Sequence, residues 1–362
     1  VPLVLETTSD TELMNNPRAS VQQVYGRIME DLDEAITLLT GASARADKAE
    51  ISVEVAYGLR ARANLLMGKW AAAASDAAKA YGTSAPYSVA DVSQPTFYNA
   101  TDNAWIWGIV VTTEDYLAKT GIVNWPSNLC SLTGMGYTTA ASATDVAYRL
   151  INKNLWAKIP ETDVRKGWWV DEDLHSPVLD NGLGEDYAYY WANGMFNGGT
   201  FPSKFSPYTN VKFGPDNGTF ADTDNAQDWP LMRVEEMKLI EAEALGRDNL
   251  ATGKQKLEEF VRQYRDPSYT CTAGSLDAFI DEVWFQRRVE LWGEGFALFD
   301  ILRLKKPIIR QGANYPINST FAEIAAEAPI MIYRIPEAET SVNSAITEAD
   351  NNPAAMAPTP VN

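Results

Sequence analysis

Helical periodicity at both ends of the chain, and its absence between them, is the feature that most limits the fold. Apolar residues recur every three or four positions from Val21 to Leu39, and Ser20 is placed to cap the start of that helix. The same spacing returns from about residue 232 to residue 304. These patterns predict a mainly helical protein with a large irregular insertion between two helical parts.

A tight helical hairpin is predicted from Tyr57 to Tyr81. Gly68 turns the chain between a helix at about Ile51 to Met67 and a second helix, Trp70 to Tyr81, in which alanine predominates. Small side chains let two helices approach closely, as they do in tetratricopeptide repeats. The hairpin therefore indicates a tetratricopeptide-like scaffold, with an ordinary helical hairpin as the alternative.

Composition divides the chain, which we treat as one domain over residues 1–362, into four zones. Two helical zones enclose a middle that is rich in Gly, Asn, Pro and aromatic residues, and repeated prolines mark the end as a non-helical tail. The zones are a helical part at 17–83, an irregular part at 84–228, a second helical part at 229–306 and the tail at 307–362.

Local patterns predict further elements inside these zones. The apolar run from Trp105 to Val111 is typical of a buried strand, and Asp145 to Trp156 has helical spacing. Pro230 suits the first turn of the helix that follows it. Ser275 is placed to cap a long helix that the pattern extends to about Trp292.

The acidic charge of the chain excludes several classes of partner. The formal net charge is -18, so we expect neither nucleic acid nor anionic lipid to attract it. No apolar run approaches the roughly 18 residues that a membrane-spanning helix needs. The chain opens without the basic and apolar segments of a signal peptide. We therefore expect any lipid anchor, and with it any membrane association, to belong to a missing N-terminal part.

No motif predicts catalysis or a resident metal. The single histidine, His175, and the two cysteines, Cys130 and Cys271, fit no zinc site, and whether the cysteines pair stays open. Carboxylates cluster at Asp171–Asp173 and at Asp222–Asn225, where solvated loop acids are the first interpretation. Flexible loops rich in oxygen ligands also suit Ca²⁺. We expect no enzyme activity and no cofactor, with calcium left open.

Aromatic residues in the irregular part give the strongest functional signal. Residues 84–228 hold seven of the 11 Trp and nine of the 16 Tyr, in polar sequence rather than on periodic apolar stripes. Flat rings stack on the apolar faces of sugars, while neighbouring polar groups bind the hydroxyls. We therefore expect a shallow, exposed ligand surface on these loops. Its candidate residues are Trp125, Tyr137, Trp168, Trp169, Tyr187, Tyr189, Tyr190 and Trp191.

The segment from Gln286 to Arg303 combines paired arginines, Glu-Leu, Glu-Gly, an aromatic–Asp pair and a final arginine. This order resembles the C-terminal signature of the SusD-like (RagB/SusD) family. Gln286 and Ala297 depart from it, because they replace a usual acid and a usual arginine. The matching residues are Arg287, Arg288, Glu290, Leu291, Glu294, Gly295, Phe299, Asp300 and Arg303.

Other stretches resemble the same family and follow in the right order. They are Val24 to Leu39, the hairpin Tyr57 to Tyr81, Arg233 to Ala244, and Arg334-Ile-Pro336 with Asn343. Charges so close to a helical core are usually paired internally, so we interpret the signature as scaffold. An anion site at Arg287 and Arg288 is the alternative.

The resemblance implies a SusD-like fold and a non-catalytic lipoprotein on the surface of the bacterial outer membrane. Such a protein would bind oligo- or polysaccharide and deliver it to a TonB-dependent, SusC-like transporter. Some relatives capture peptides instead, which gives a second hypothesis. A tetratricopeptide adaptor that binds a protein partner is the third, although the irregular part disfavours it because few repeat proteins tolerate so long an insertion.

Overall fold

We describe the protein from a computed structural model. The structure describes residues 2–116, 118, 128–133, 148–195, 204–315 and 323–355. Trp125 and Tyr137 of the predicted ligand surface lie outside these residues. Two compact units divide the chain, one formed by Val1–Thr37 with Ala297–Asn362 and the other by Leu38–Phe296. The single-domain organisation stays a prediction.

Helices dominate the described residues, as the sequence predicts. The helix from Val21 to Leu39 has the predicted bounds, and the hairpin helices end at Leu66 and Tyr81. Ser275 caps its helix, with its hydroxyl accepting a backbone N–H. The α-helices are α1 Asp10–Leu13, α2 Val21–Leu39, α3 Val53–Leu66, α4 Trp70–Tyr81, α5 Val89–Val92, α6 Lys153–Trp156, α7 Pro177–Leu183, α8 Glu185–Ala192, α9 Val234–Asp248, α10 Leu250–Tyr264, α11 Leu276–Glu290, α12 Ala297–Arg303 and α13 Glu337–Val342.

Helices α3, α4, α9 and α10, which we call the repeat region, pack through small side chains. Helix α4 packs against both α3 and α9, and α9 packs against α10. Ala73 and Ala77 of α4 have no exposed surface. Gly246 and Gly253 bring α9 and α10 so close that a Cβ at Gly253 would lie 2.3 Å from the Cα of Gly246. Close approach without large side chains is what the tetratricopeptide-like pattern predicts.

A two-stranded sheet replaces the helical start predicted at Pro230. Strand β1, Trp105–Ile109, pairs antiparallel with strand β2, Trp229–Arg233, and Gly108 lies opposite Pro230. The helical prediction is wrong here because burial alternates along the strand: Pro230 and Met232 are buried, whereas Trp229 and Leu231 are half-buried. Helix α9 begins only after this strand ends.

The irregular part has a hydrophobic core of its own, which we call the aromatic core. Its rings meet edge to face; the centroid of Phe97 lies 5.5 Å from that of Trp168. Large rings fill the space between segments that have little regular structure. The buried aromatic members are Tyr87, Phe97, Trp105, Tyr148, Trp168, Trp169, Trp191, Phe205, Tyr208 and Phe213.

The helix predicted from Asp145 to Trp156 is much shorter in the described residues. Only α6 is helical, and it begins after Asn152, whose side chain accepts a hydrogen bond from the N–H of Asn154. Before this cap the chain is extended, and the N–H of Ile151 donates to the carbonyl of Tyr208 at 3.1 Å. The N-cap thus fixes the start of the helix at a later residue than the apolar spacing alone predicts.

The unit that contains both chain ends has little regular structure apart from α2. Strand β3, Ile308–Ile309, pairs with strand β4, Glu323–Ile324. Asn343 joins the ends: its amide donates to the carbonyl of Asn16 at 2.7 Å and accepts the N–H of Asn16 at 3.0 Å. The predicted non-helical tail is interrupted by α13. Within the described ranges, no helix has the length and apolarity of a membrane span.

Candidate functional site

The segment that resembles the C-terminal signature contributes charged side chains to a buried cluster. Glu290 of α11 has no exposed side-chain surface and accepts hydrogen bonds from Arg265 at 2.8 and 2.9 Å. Arg165 and Arg233 approach the same carboxylate at 3.4 Å. The interpretation of these charges as internal scaffold is confirmed for Glu290, and we call this cluster the ion network.

The ion network fastens the irregular part to the second helical part. Glu294 accepts hydrogen bonds from Arg233 at 2.8 Å and from Lys212 at 2.7 Å. Arg165 also contacts Gln286, the residue that replaces the family's usual acid, at 2.5 Å. Arg165 and Lys212 belong to the irregular part, whereas Gln286 and Glu294 belong to the second helical part. The contacts of Arg165 and Lys212 therefore join the two parts, and that of Arg233 lies within the second.

Electrostatics within the network favour the charged forms of its central acids. Burial alone would raise the pKa of Glu290, but the adjacent arginines, Arg265 first, hold it far below its usual range. Burial likewise opposes ionisation of Glu294, yet Arg233 and Lys212 keep the pKa of its carboxyl low. Glu290 and Glu294 therefore remain ionised although both are buried.

Lys212 is enclosed by aromatic rings as well as by the network. Its ammonium nitrogen lies 4.8 Å from the ring centroid of Phe97, 5.0 Å from that of Trp168 and 4.9 Å from that of Phe213. Burial lowers the pKa of Lys212 to about 8, although Glu294 opposes that change. A cation enclosed in this way stabilises the fold and cannot reach a ligand.

Three of the predicted ligand-binding rings lie in the aromatic core. Trp168, Trp169 and Trp191 are at most 1% exposed. The expectation that they are exposed is wrong, because an irregular backbone leaves wide gaps that only large rings fill. A ring without exposed surface cannot stack on a sugar. Polar neighbours in sequence therefore did not indicate exposure of the ring itself.

The other described candidates lie together on α8. Tyr187, Tyr189 and Tyr190 are 57%, 56% and 47% exposed. The rings of Tyr189 and Tyr190 meet edge to face with their centroids 5.9 Å apart. The sequence predicts loops in this segment, and the structure shows helix α8 instead.

Trp191 anchors α8 to the aromatic core. Its indole N–H donates to the carbonyl of Ser131 at 3.1 Å, and its ring lies 4.2 Å from that of Phe220. Ala188 and Ala192, on the same face of the helix, are also buried. The opposite face of α8 therefore holds its tyrosines at the surface on a rigid support.

Two polar residues share the exposed face of α8 with the tyrosines. Asp186 precedes Tyr189 and Tyr190 by three and four positions, and Asn193 follows them by four and three. Each of the two polar residues therefore lies about one helical turn from both tyrosines. The amide of Asn193 donates to the carbonyl of Tyr189 at 3.0 Å. Helical spacing after Gly184 could have identified these two residues from sequence. We call Tyr187, Tyr189, Tyr190, Asp186 and Asn193 the tyrosine face.

The acidic loops differ in their surroundings. Next to the cluster Asp171–Asp173, the imidazole of His175 lies 2.6 Å from the carboxylate of Asp180. In the second, burial raises the pKa of Asp216, Asp222 and Asp228. Among the described residues, no group of three His, Cys, Asp or Glu side chains is arranged to hold a metal. Calcium binding stays a prediction. Cys130 and Cys271 are both buried, and no disulfide joins them.

The unit of the chain ends has a polar cavity of about 520 Å³, whereas the tyrosine face belongs to the other unit. Arg334 in its wall is already bonded to Glu348 and to the carbonyl of Asn352. None of the predicted ligand residues that the structure describes lines it. The tyrosine face is therefore the stronger candidate for a binding site.

Comparison with known proteins gives one family and a set of similar folds. A model of the SusD family matches residues 138–353, more than half of the chain. No curated protein matches the sequence.

Solved structures resemble the fold over almost the whole chain. One is a SusD-like carbohydrate binding protein from Bacteroides vulgatus, with a TM-score of 0.71 and 22% identity over 98% of this chain and 71% of that one. A SusD superfamily protein from Bacteroides thetaiotaomicron has a TM-score of 0.71 and 21% identity over the same shares, 98% and 71%. A laminarin binding SusD-like protein has a TM-score of 0.57 and 20% identity over 98% and 74%. At these identities the likeness establishes the fold alone.

Proposed function

The chain belongs to the SusD family, and from this premise we propose that it binds oligo- or polysaccharide on the tyrosine face without cleaving it. The observation that carries the proposal is the exposure of Tyr187, Tyr189 and Tyr190 on one short, anchored helix. Amphipathic rings at a surface offer flat faces for sugars and hydroxyls for hydrogen bonds.

The support beneath the rings favours binding over a purely structural role. Exposed tyrosines on a mobile segment would lose side-chain and backbone freedom when a ligand ordered them. Trp191 already fixes α8 through its bond to Ser131. A ligand therefore meets rings whose spacing is set in advance, which favours repeated sugar units.

A similar fold supports glycan as the ligand class. One solved relative in fold is a laminarin binding SusD-like protein. Peptide is the alternative, and a net charge of -18 would favour basic peptides over acidic ones.

Delivery to a transporter extends the proposal. We propose that the protein is a lipoprotein of the outer-membrane surface that hands glycan to a TonB-dependent, SusC-like transporter, as the family implies. Co-purification of that transporter with the tagged full-length protein from detergent-solubilised outer membranes would support this step. Recovery of soluble proteins alone would contradict it.

Alanine substitution of the exposed rings tests the site. Tyr187→Ala, Tyr189→Ala and Tyr190→Ala should each weaken binding to the best ligand of a polysaccharide panel, by about 1–3 kcal/mol for a well-stacked ring. Calorimetry measures the loss, and the melting temperature should stay near that of the wild type because exposed residues contribute little to the core. Tyr333→Ala, at an exposed tyrosine of the other unit, is the matched control.

Two results would overturn the proposal. If all three tyrosine variants bind like the wild type and the control, the ligand lies elsewhere. If the purified protein hydrolyses any glycan of the panel, the absence of catalysis is wrong. Binding of peptides with no binding of glycans would decide for the alternative ligand.

A further inference from the structure

Carboxylates accompany the tyrosine face in sequence, whereas basic residues do not. Between Asp171 and Met195 the chain has six Asp and Glu residues, one histidine and no Lys or Arg. Glu185 and Asp186 are exposed in the first turn of α8 itself. The helix that presents the rings therefore presents negative charge beside them.

Helix geometry places this charge against a stacked ligand. Asp186 lies one turn before Tyr189 and Tyr190, and Glu185 lies one turn before Tyr189, so the Cβ atoms are about 5–6 Å apart. A sugar resting on either ring lies well within the Debye length, which is about 10 Å at 0.1 M salt. Any charge on that sugar therefore interacts electrostatically with the carboxylates of Glu185 and Asp186.

Among the basic residues that the structure describes, Lys204 lies close to the C-terminal end of α8. Exposed Lys204 precedes Phe205, whose N–H donates to the carbonyl of Ala192 at 2.8 Å. It can offset at most one of the two carboxylates, and it lies at the end of the helix opposite to them. The charge beside the rings therefore stays negative.

We infer that the tyrosine face selects uncharged glycans and rejects glycans that carry uronate or sulfate groups. The inference rests on the proposed function and names the substrate class of the same site. Hydroxyls of a neutral sugar donate to the carboxylate of Asp186 and lose nothing to repulsion. A carboxylate or sulfate on the sugar is instead repelled by the carboxylates of Glu185 and Asp186.

Paired probes and a charge-removing variant test this selectivity. Laminarin, starch and xylan serve as uncharged probes, and polygalacturonate, alginate and chondroitin sulfate as anionic ones. The double variant Glu185→Gln/Asp186→Asn removes both carboxylates of α8. The control Glu30→Gln/Glu34→Gln removes the same charge from exposed positions on α2.

The wild type should bind at least one uncharged probe, and each anionic probe about tenfold more weakly or not at all in dilute buffer. The α8 double variant should bind anionic probes about threefold to tenfold more tightly than the wild type does. Its affinity for the uncharged probe should not rise, because an amide replaces the carboxylate of Asp186 that accepts the sugar hydroxyls. High salt should reduce the difference between the wild-type affinities for uncharged and anionic probes. The α2 control should leave both affinities unchanged.

Different failures point to different errors. If an anionic probe is the tightest ligand and the α8 variant binds it no better, the selectivity inference is overturned while glycan binding stands. Equal gains for the α8 variant and the α2 control would mean that total charge matters and not the site, which also overturns it. If no probe of either class binds, the proposed function itself fails.

Discussion

The repeat region and the aromatic core are built from opposite kinds of side chain, yet both exclude their interior side chains from the surface. Ala73 and Ala77 fill the first, while Trp168 and Trp169 fill the second, and all four are at most 1% exposed. Regular helices satisfy their own backbone hydrogen bonds, so small side chains can bring them close. Segments without that regularity stay further apart and need large rings between them. Aromatic richness in polar sequence can thus mark a core rather than a binding surface.

Removing the carboxylate of Glu290, at the centre of the ion network, should have the largest effect. Glu290→Ala leaves Arg165, Arg233 and Arg265 buried without their common partner. The expected loss in the free energy of unfolding is about 5 kcal/mol, at the upper end for a broken buried pair. Urea denaturation measures it. A loss below about 1 kcal/mol would show that the regions hold together without the network.

Truncating a ring of the aromatic core comes next. Trp168→Ala removes a fully buried indole and its hydrogen bond to the carbonyl of Val92, at 3.0 Å. The expected loss is about 4 kcal/mol. In the repeat region, the matched Leu65→Ala should cost less, about 2–3 kcal/mol. Thermal or urea unfolding measures both losses. Equal losses for the two variants would contradict the view that large rings stabilise the aromatic core and that close helix packing stabilises the repeat region.

Adding a methyl group tests the close approach of helices in the repeat region. A Cβ at Gly246 would lie 2.1 Å from a ring carbon of Phe279, so Gly246→Ala should destabilise the protein by about 1–3 kcal/mol. Gly26 of α2 has no atom within 4 Å of its added Cβ. As the control, Gly26→Ala should raise stability by about 0.5–1 kcal/mol, since alanine suits a helix better. A neutral Gly246→Ala would mean that the helices can move apart freely.

The pH dependence of stability should be the smallest effect, below about 1 kcal/mol from neutral pH to pH 5. The pKa values of Asp216, Asp222 and Asp228 are higher in the folded chain, so acidification from neutral stabilises the fold through them. Glu290 and Glu294 have lowered pKa values, so their contribution is present above the ordinary value of 4.5 and is lost as the pH falls below it.

The melting temperature should therefore rise slightly towards pH 5 and fall below about pH 4.5. Asp222→Asn should flatten the rise and leave the fall unchanged. A melting temperature that decreases steadily from pH 7 would contradict the assignment of these shifts.

Sequence predicted the helical parts well because their information is local. The bounds of α2 and α4 follow from apolar spacing and from the turn at Gly68. Strand β2 was missed because its partner, β1, lies more than a hundred residues earlier. A strand that pairs at such a distance leaves only weak alternation in its own segment.

The candidate site was predicted in part, for the same reason. Tyr189 and Trp191 lie in the same polar segment, and one is exposed while the other is buried. What separates them is their angle around α8, and that helix was not predicted. The role of Tyr187, Tyr189 and Tyr190 in binding stays a prediction. Trp125 and Tyr137 remain outside the described residues.

The position of Glu290 in the chain has a consequence for biosynthesis. Its contact with Arg165 spans 125 residues, and the ribosome makes the arginine long before the glutamate. During elongation Arg165 has only Asp163 as a counter-charge, and Lys212 lacks its partner Glu294. Burying these two cations is therefore less favourable until α11 and Glu294 emerge. The aromatic core should consequently close late, as one event. A chain that is released before residue 290 should stay open and accessible to proteases, whereas a completed chain becomes resistant.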